Sequence, residues 1–225
     1  MSDDIKSDAS GAIRGKLIAK KQQWAKDGRL LTGNTGDKDR DRLPPGQRIV
    51  KDWPVLDLGV TPKIDLEKWR LRIDGAVQNR IIWDWEDFLS QPQTEIVSDI
   101  HCVTGWSRFD NRWVGVPAAH ILSLVQPSPD ATHCIFYSRD GYATNVQLDR
   151  FAAGNVLLAF KWNGDVLSAP HGGPVRVLMP DWYFWKSAKW LRRIEFSTED
   201  KPGYWEIRGY HNDGDPWKEE RYSDD

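Results

Sequence analysis

The spacing of hydrophobic positions changes along the chain. From residue 10 to about 31 the apolar residues Ile13, Leu17 and Trp24 form a loose stripe among Arg14, Lys16, Lys20, Lys21 and Lys26. That spacing predicts a basic helix packed on the main domain with its charges in water. The stretch "LTGNTGDKDRDRLPPGQ" is rich in turn formers and charge and reads as an exposed connection. Beyond it a period of two takes over: "WRLRIDG" alternates Trp69, Leu71 and Ile73 with Arg70, Arg72 and Asp74, the pattern of a sheet with one wet face. Apolar runs of strand length follow in "TEIVSDI", "HCIFYSR", "VLLAFKW", "PVRVLMP" and "WLRRIEFS". Two short helices interrupt them, "WDWEDFLS" entered through Asp84 and "GVPAAHILSLV" with Pro117 in its first turn. Asn163 and Gly164 in "WNGDVL" predict a hairpin. These elements give an α+β, mainly β fold with short helices over residues 42–225, preceded by a helical arm and linker over 1–41.

Composition narrows the function classes. With 40% hydrophobic residues in 225, the chain can bury a sizeable core. Lys and Arg number 31 against 33 Asp and Glu, so no basic excess exists to neutralise a nucleic-acid backbone. The N-terminus lacks the basic start and apolar run of an export signal, and no stretch reaches membrane-spanning length, which leads us to expect a cytoplasmic protein. Two cysteines, neither in a CxxC, do not make a disulfide framework. His101, His120, His133, His171 and His211 lack the short paired spacing of structural zinc sites.

Two polar islands remain as candidate chemistry. In "SDIHCVTGWSRFD", Cys102 sits among His101, Thr104, Gly105, Ser107 and Arg108, a poor setting for a thiol that only fills space. In "HGGPVRVLMPDWYFWKSAKW", Gly172 and Gly173 would let backbone approach a ligand, and Arg176 lies within an apolar strand, where a charge needs a partner. If their segment is extended, Ser187 and Lys189 share a face and, with His171 and Arg176, form a pocket for a phosphate-bearing ligand. The alternatives are an Arg176 salt bridge to Asp181 or Glu195, and a Lys189 chain lying along Trp190.

"DIHCVTGWSRFDNRWVGVP", "GYATNVQL", "LLAFKWNGDVLSAPHGGPVRVLMP" and "WKSAKWLRRIEF" together resemble the molybdopterin-binding domain of the sulfite oxidase family, closest to its short bacterial members. The likeness runs from "RLPPGQ" to "PGYWEIRGYH" and keeps the family's order. It implies that Cys102 binds molybdenum through its thiolate, the remaining sulfur ligands coming from the dithiolene of one molybdopterin per metal. His171 and Arg176 match positions that hold the pterin and its phosphate, and Ser187, Ala188 and Lys189 match the run that closes on that phosphate. Ser138 or Asp140, and Gln47, match further cofactor contacts. Tyr142 matches the active-site tyrosine, its other reading being a half-buried strand aromatic. Arg108 falls where family members place a cation for an anionic substrate, its other reading being a surface pair with Asp110. His101 either orients the cysteine loop or faces substrate. Trp106 is the candidate substrate wall, with most other tryptophans read as core.

The implied reaction is a two-electron oxygen-atom transfer on a small S- or N-oxo substrate, of the sulfite-oxidation or sulfoxide-reduction type. With no CxxCH and too few cysteines for an iron–sulfur cluster, the electrons would pass to a separate redox partner protein or a soluble electron acceptor. The alternative is a non-catalytic molybdopterin-binding or carrier protein.

Overall fold

The computed structural model describes residues 41–224 together with Gly15, Ile18 and Ala19, which are helical. Ile18 is half-buried against the core, whereas the stripe residues Ile13, Leu17 and Trp24 lie outside the described residues. Two sheets make up the body. The six-stranded sheet is centred on the long strand β5 (Trp106–Pro117), which pairs antiparallel with β4 (Thr94–Cys102) and β8 (Leu157–Trp162) and, at its start, parallel with β1 (Arg48–Ile49). Strand β8 pairs in turn with β9 (Asp165–Val166) and β10 (Arg176–Leu178). The five-stranded sheet has the order β3 (Ile81–Trp83), β2 (Leu71–Gly75), β11 (Leu191–Ser197), β6 (His133–Ser138), β7 (Ala143–Gln147), with only β2 and β11 parallel. The short helices are α1 (Trp85–Ser90), α2 (Ala118–Val125) and α3 (Leu148–Phe151).

The period-two segments form strands as their patterning predicts, except that Asp74, expected on the wet face of β2, is buried because Arg193 and Arg72 bind its carboxylate. Trp69, Leu71 and Ile73 are fully buried, and Trp69 meets Phe88 of α1 edge-on with ring centroids 5.5 Å apart. Asp84 caps α1 in a reciprocal box with Asp87, an arrangement whose loss costs a helix about 1 kcal/mol. The Asn163–Gly164 turn, with φ of 50° and 92°, joins β8 to β9. Pro117 ends β5 and is the N-cap residue of α2, one position before the helix begins. At the bulge between Val114 and Gly115 a Cβ on Gly115 would overlap the Leu158 carbonyl, so only glycine lets β5 lie this close to β8. Among the described residues no helix is long and apolar enough to cross a membrane.

Asp74 of β2 ties the centre of the second sheet together. It is buried and bridges Arg193 of β11 (Nη2 to Oδ1, 2.7 Å) and Arg72. Burial pushes its carboxyl pKa up, but hydrogen bonds from Arg193 and Arg72 outweigh that and hold it below the usual carboxylate range. A depressed folded-state pKa contributes stability above the unfolded value of about 3.9, lost as pH falls through the folded value. Urea unfolding followed from pH 7 downward should therefore show stability dropping below about pH 4, with a shallower drop in Asp74→Asn. Equal slopes in the two proteins would remove Asp74 as a source of acid sensitivity.

Candidate functional site

Strand ends from both sheets meet at one cleft enclosing about 850 Å³ of atom-free space, its mouth included. The end of β4 brings Cys102, the start of β5 brings Trp106, and β10 brings Arg176. The end of β6 and the hairpin after it bring Ser138, Asp140 and Tyr142, while the turns flanking β10 bring His171, Ser187 and Lys189. Nine of the sequence-nominated residues thus line one surface, although they come from segments up to 87 positions apart.

Arg176 is the least ordinary of them. It is 2% exposed, yet among the described residues no carboxylate lies within salt-bridge distance, so neither Asp181 nor Glu195 is its partner. Its Nη1 donates to His171 O and its Nη2 to Ser187 O, each at 2.8 Å, and its Nε points to Val177 O at 3.4 Å. Of five N–H groups, one on each terminal nitrogen is left over. The guanidinium carbon sits 4.1 Å above the Phe184 ring and 5.4 Å from that of Trp53. Burial pushes its pKa down to about 9. Ser138 Oγ, also buried, has no hydrogen-bond partner among the described residues. An uncompensated cation and an orphaned hydroxyl in one cleft fit an anionic, polar ligand that supplies what the chain does not.

The neighbours are engaged in building the wall. Ser187 Oγ accepts from Met179 N at 2.9 Å, and Lys189 Nζ donates to Pro170 O at 2.7 Å while lying 4.6 Å over Trp190, so the lysine both lines the cleft and follows the tryptophan. Their segment is not an extended strand but a 3₁₀ turn, Phe184–Lys186, followed by irregular backbone with φ +49° at Trp190. Gly172 and Gly173 approach the chain itself: a Cβ on Gly173 would overlap Leu167 O, and one on Gly172 would fall 3.0 Å from the Lys189 side chain. His171 stacks on Trp53 with ring centroids 3.9 Å apart. Its Nε2 faces Trp53 O at 3.1 Å and its Nδ1 faces Ser168 Oγ at 3.0 Å, so both ring nitrogens are satisfied by the chain, and burial lowers its pKa.

Tyr142 is buried, which raises its pKa well above the ordinary phenol value, and its hydroxyl donates to Trp185 O at 2.5 Å. Its single proton is thereby committed to the backbone. Asp140 accepts from Tyr142 N at 3.0 Å and shapes the hairpin turn. Cys102 is 6% exposed, and its sulfur lies 3.1 Å from Thr104 Oγ1. Gln47 does not line the cleft: its Nε2 donates to Cys102 O at 3.1 Å and its Oε1 accepts from Ser107. Ser107 in turn meets His101 Nδ1 at 2.8 Å, and burial lowers the His101 pKa to about 4, so His101 is a neutral brace of the cysteine loop. Arg108 also stays outside, bound to Lys51 O and Asn111 and lying 4.6 Å over Trp162, while Asp110 pairs with Arg42. Ala188 is buried behind the wall.

Several contributors escaped the sequence reading. The strap Trp53–Leu58 lines one side of the cleft, and Trp205 and Tyr210 line another. An aromatic beside proline in an aperiodic stretch, "DWPVLDL", is the signal that marks Trp53. Behind Trp185, Lys186 is fully buried and its Nζ contacts Glu206 Oε1 at 2.6 Å and Asn145 O at 2.9 Å. The same carboxylate oxygen accepts from Trp185 Nε1 at 2.9 Å and Thr144 Oγ1 at 2.8 Å. Burial lowers the Lys186 pKa against the pull of Glu206.

Residues 58–205 match the family model for the oxidoreductase molybdopterin binding domain. The chain is 44% identical over 196 residues to the uncharacterized oxidoreductase YuiH of Bacillus subtilis, covering 86% of this chain and 99% of that one. It is 31% identical over 155 residues to the protein-methionine-sulfoxide reductase catalytic subunit MsrP of Ralstonia nicotianae, covering 62% of this chain and 46% of MsrP. It thus spans nearly all of the first relative and about half of the second. Among solved structures, the sulfane dehydrogenase SoxCD of Paracoccus pantotrophus shares the fold, with a TM-score of 0.58 at 18% identity over 75% of this chain and 56% of that one.

The buried ion pair offers a test of how the wall is held. Glu206→Ala strands the Lys186 ammonium and should cost about 3–5 kcal/mol in urea unfolding at pH 7. The loss should shrink at high pH, where Lys186 can shed its proton, and a Lys186→Met/Glu206→Leu double substitution should recover most of it. A loss independent of pH would place the role of Glu206 in its other hydrogen bonds.

Proposed function

The chain belongs to the oxidoreductase molybdopterin binding domain family, and on that premise we propose that it is a molybdenum enzyme transferring an oxygen atom to or from a small S- or N-oxo substrate. Cys102 would hold the metal through its sulfur, and Arg176 the phosphate of the pterin. The observation that carries this reading is the pairing, in one cleft, of a nearly buried thiol with a buried guanidinium that has no counter-ion among the described residues. A pterin that bears a dithiolene at one place and a phosphate at another would meet both.

When bound, the molybdenum centre supplies the two-electron exchange of oxygen between water and a sulfur or nitrogen atom. The chain's own groups bind and exclude. The leftover N–H groups of Arg176, the Lys189 ammonium and the Ser187 hydroxyl are placed to receive phosphate oxygens, and Ser138 Oγ a polar edge of the pterin. His171 pins Trp53 and so holds the strap against the cleft. Tyr142, Trp106 and Trp185 keep water out, and the Tyr142 oxygen can still accept a hydrogen bond while its hydroxyl donates to Trp185 O. Gln47, Ala188 and Arg108 act from outside the cleft: Gln47 braces the cysteine loop, Ala188 backs the wall and Arg108 lies over Trp162.

Cys134 is fully buried, and burial pushes its thiol pKa up, so it offers no second redox sulfur. Electrons would pass singly to a separate redox protein or a soluble acceptor. The name of MsrP makes sulfoxide reduction the direction to assay first.

Protein expressed in a host that makes molybdopterin should oxidise reduced viologen with methionine sulfoxide, dimethyl sulfoxide or an N-oxide, or reduce a dye with sulfite. Cys102→Ser should abolish turnover. Arg176→Met should lower bound pterin at least about tenfold, the cost of one charge-assisted contact of about 1.4 kcal/mol. Full metal and pterin with no turnover in either direction would instead make the protein a cofactor carrier, and absence of pterin fluorescence after denaturation would overturn both readings.

A further inference from the structure

The turn that carries Cys102 sets a second side chain against its sulfur. Gly105 N donates to Cys102 O at 3.0 Å, and Gly105, at φ +87°, reverses the chain so that Trp106 pairs with Cys102 across β4 and β5. Within this turn the Thr104 side chain folds back on Cys102, its Oγ1 3.1 Å from Sγ. Both residues are almost sealed, at 3% and 6% exposure, and among the described residues the Thr104 hydroxyl has no other hydrogen-bond partner. Branching at Cβ restricts the threonine to few rotamers, so the hydroxyl is placed before any ligand arrives.

Without a metal, either group could be the donor. A sulfur that ligates a metal has lost its proton, which leaves the hydroxyl as the one group with a hydrogen to give. We propose that Thr104 is a positioning residue for the molybdenum centre. Its hydroxyl donates to the Cys102 sulfur, holds that side chain in its ligating rotamer, and draws electron density off the sulfur, raising the reduction potential of the centre. Hydrogen bonds to ligating sulfurs tune metal centres in this way, and the effect is largest where water is excluded, as it is here. The proposal rests on the reading of Cys102 as the metal's protein ligand.

Thr104→Val keeps the volume and branching and removes only the hydroxyl, whereas Thr104→Ser keeps the hydroxyl. Loaded wild type and both variants are compared at equal molybdenum content by potentiometric titration, with electron paramagnetic resonance of the metal as readout, and by optical absorption. The expected result is a lower midpoint potential in Thr104→Val, its sulfur-to-metal charge-transfer band moved to longer wavelength, and values near wild type in Thr104→Ser. Metal lost from Thr104→Val but retained by Thr104→Ser would support the positioning role through the hydroxyl. An unchanged midpoint and band in a fully loaded Thr104→Val, or equal changes or equal metal loss in both variants, would overturn the proposal. A wild-type protein that takes up no molybdenum would overturn the reading of Cys102 itself.

Discussion

A guanidinium held out of water without a counter-ion is the constraint around which this protein is arranged. The desolvation penalty of such an ion is about several kcal/mol even after relaxation. Arg176 recovers part of it from two backbone carbonyls and two aromatic faces, and those contacts in turn organise the cleft. The carbonyl of His171 belongs to the turn before β10 and that of Ser187 to the turn after it. One side chain therefore fixes the spacing of both turns, and with it the wall they form. What the protein leaves unmade, a pair of N–H bonds and a neutralising charge, is what a bound phosphate provides.

A second buried cation ten residues along shows that the omission at Arg176 is not a limit of the fold. Lys186 is as deeply placed, yet it has Glu206 at 2.6 Å and two oxygens of Asn145. Its partners also hold the Trp185 indole and the β7 strand, so its charge is consumed in structure. The two cysteines divide in the same way. Cys134 lies in β6 between paired neighbours β11 and β7, with its thiol pKa raised by burial, whereas Cys102 ends a strand, faces a cleft and touches a hydroxyl. Groups sealed by their own neighbours hold the scaffold, and groups left partly unsatisfied at strand ends face the ligand.

Much of this was legible in the sequence, for local reasons. Alternation in "WRLRIDG" up to Ile73, the Asn163–Gly164 turn and the Asp84 cap are set by neighbours a few positions away, and they fold as patterned, whereas Asp74 is buried by ion pairs that reach across to β11. Arg176 could be singled out because a charge inside an apolar strand is anomalous wherever it sits. The misses are the contacts that only folding brings together. His171 meets Trp53 across 118 positions and Gln47 meets Cys102 across 55, and no spacing rule reaches that far. Gly172 and Gly173 read as letting backbone approach a ligand, whereas the groups they approach are Lys189 and Leu167 of the chain itself. The family resemblance alone nominates Arg108 as a substrate cation, with a surface pair to Asp110 as its other reading. Its strand turns it toward Asn111 and, across the fold, Trp162, contacts that its spacing does not show, and Asp110 pairs with Arg42.

The central claim is that a sulfur at position 102 and a cation at position 176 grip opposite parts of one cofactor. Molybdenum K-edge X-ray absorption on loaded wild type and Cys102→Ser, recorded side by side, tests it most directly. The account predicts one more sulfur around the metal than the pterin's dithiolene supplies, and the loss of that sulfur in the variant. A sulfur count that is the same in both proteins would contradict it.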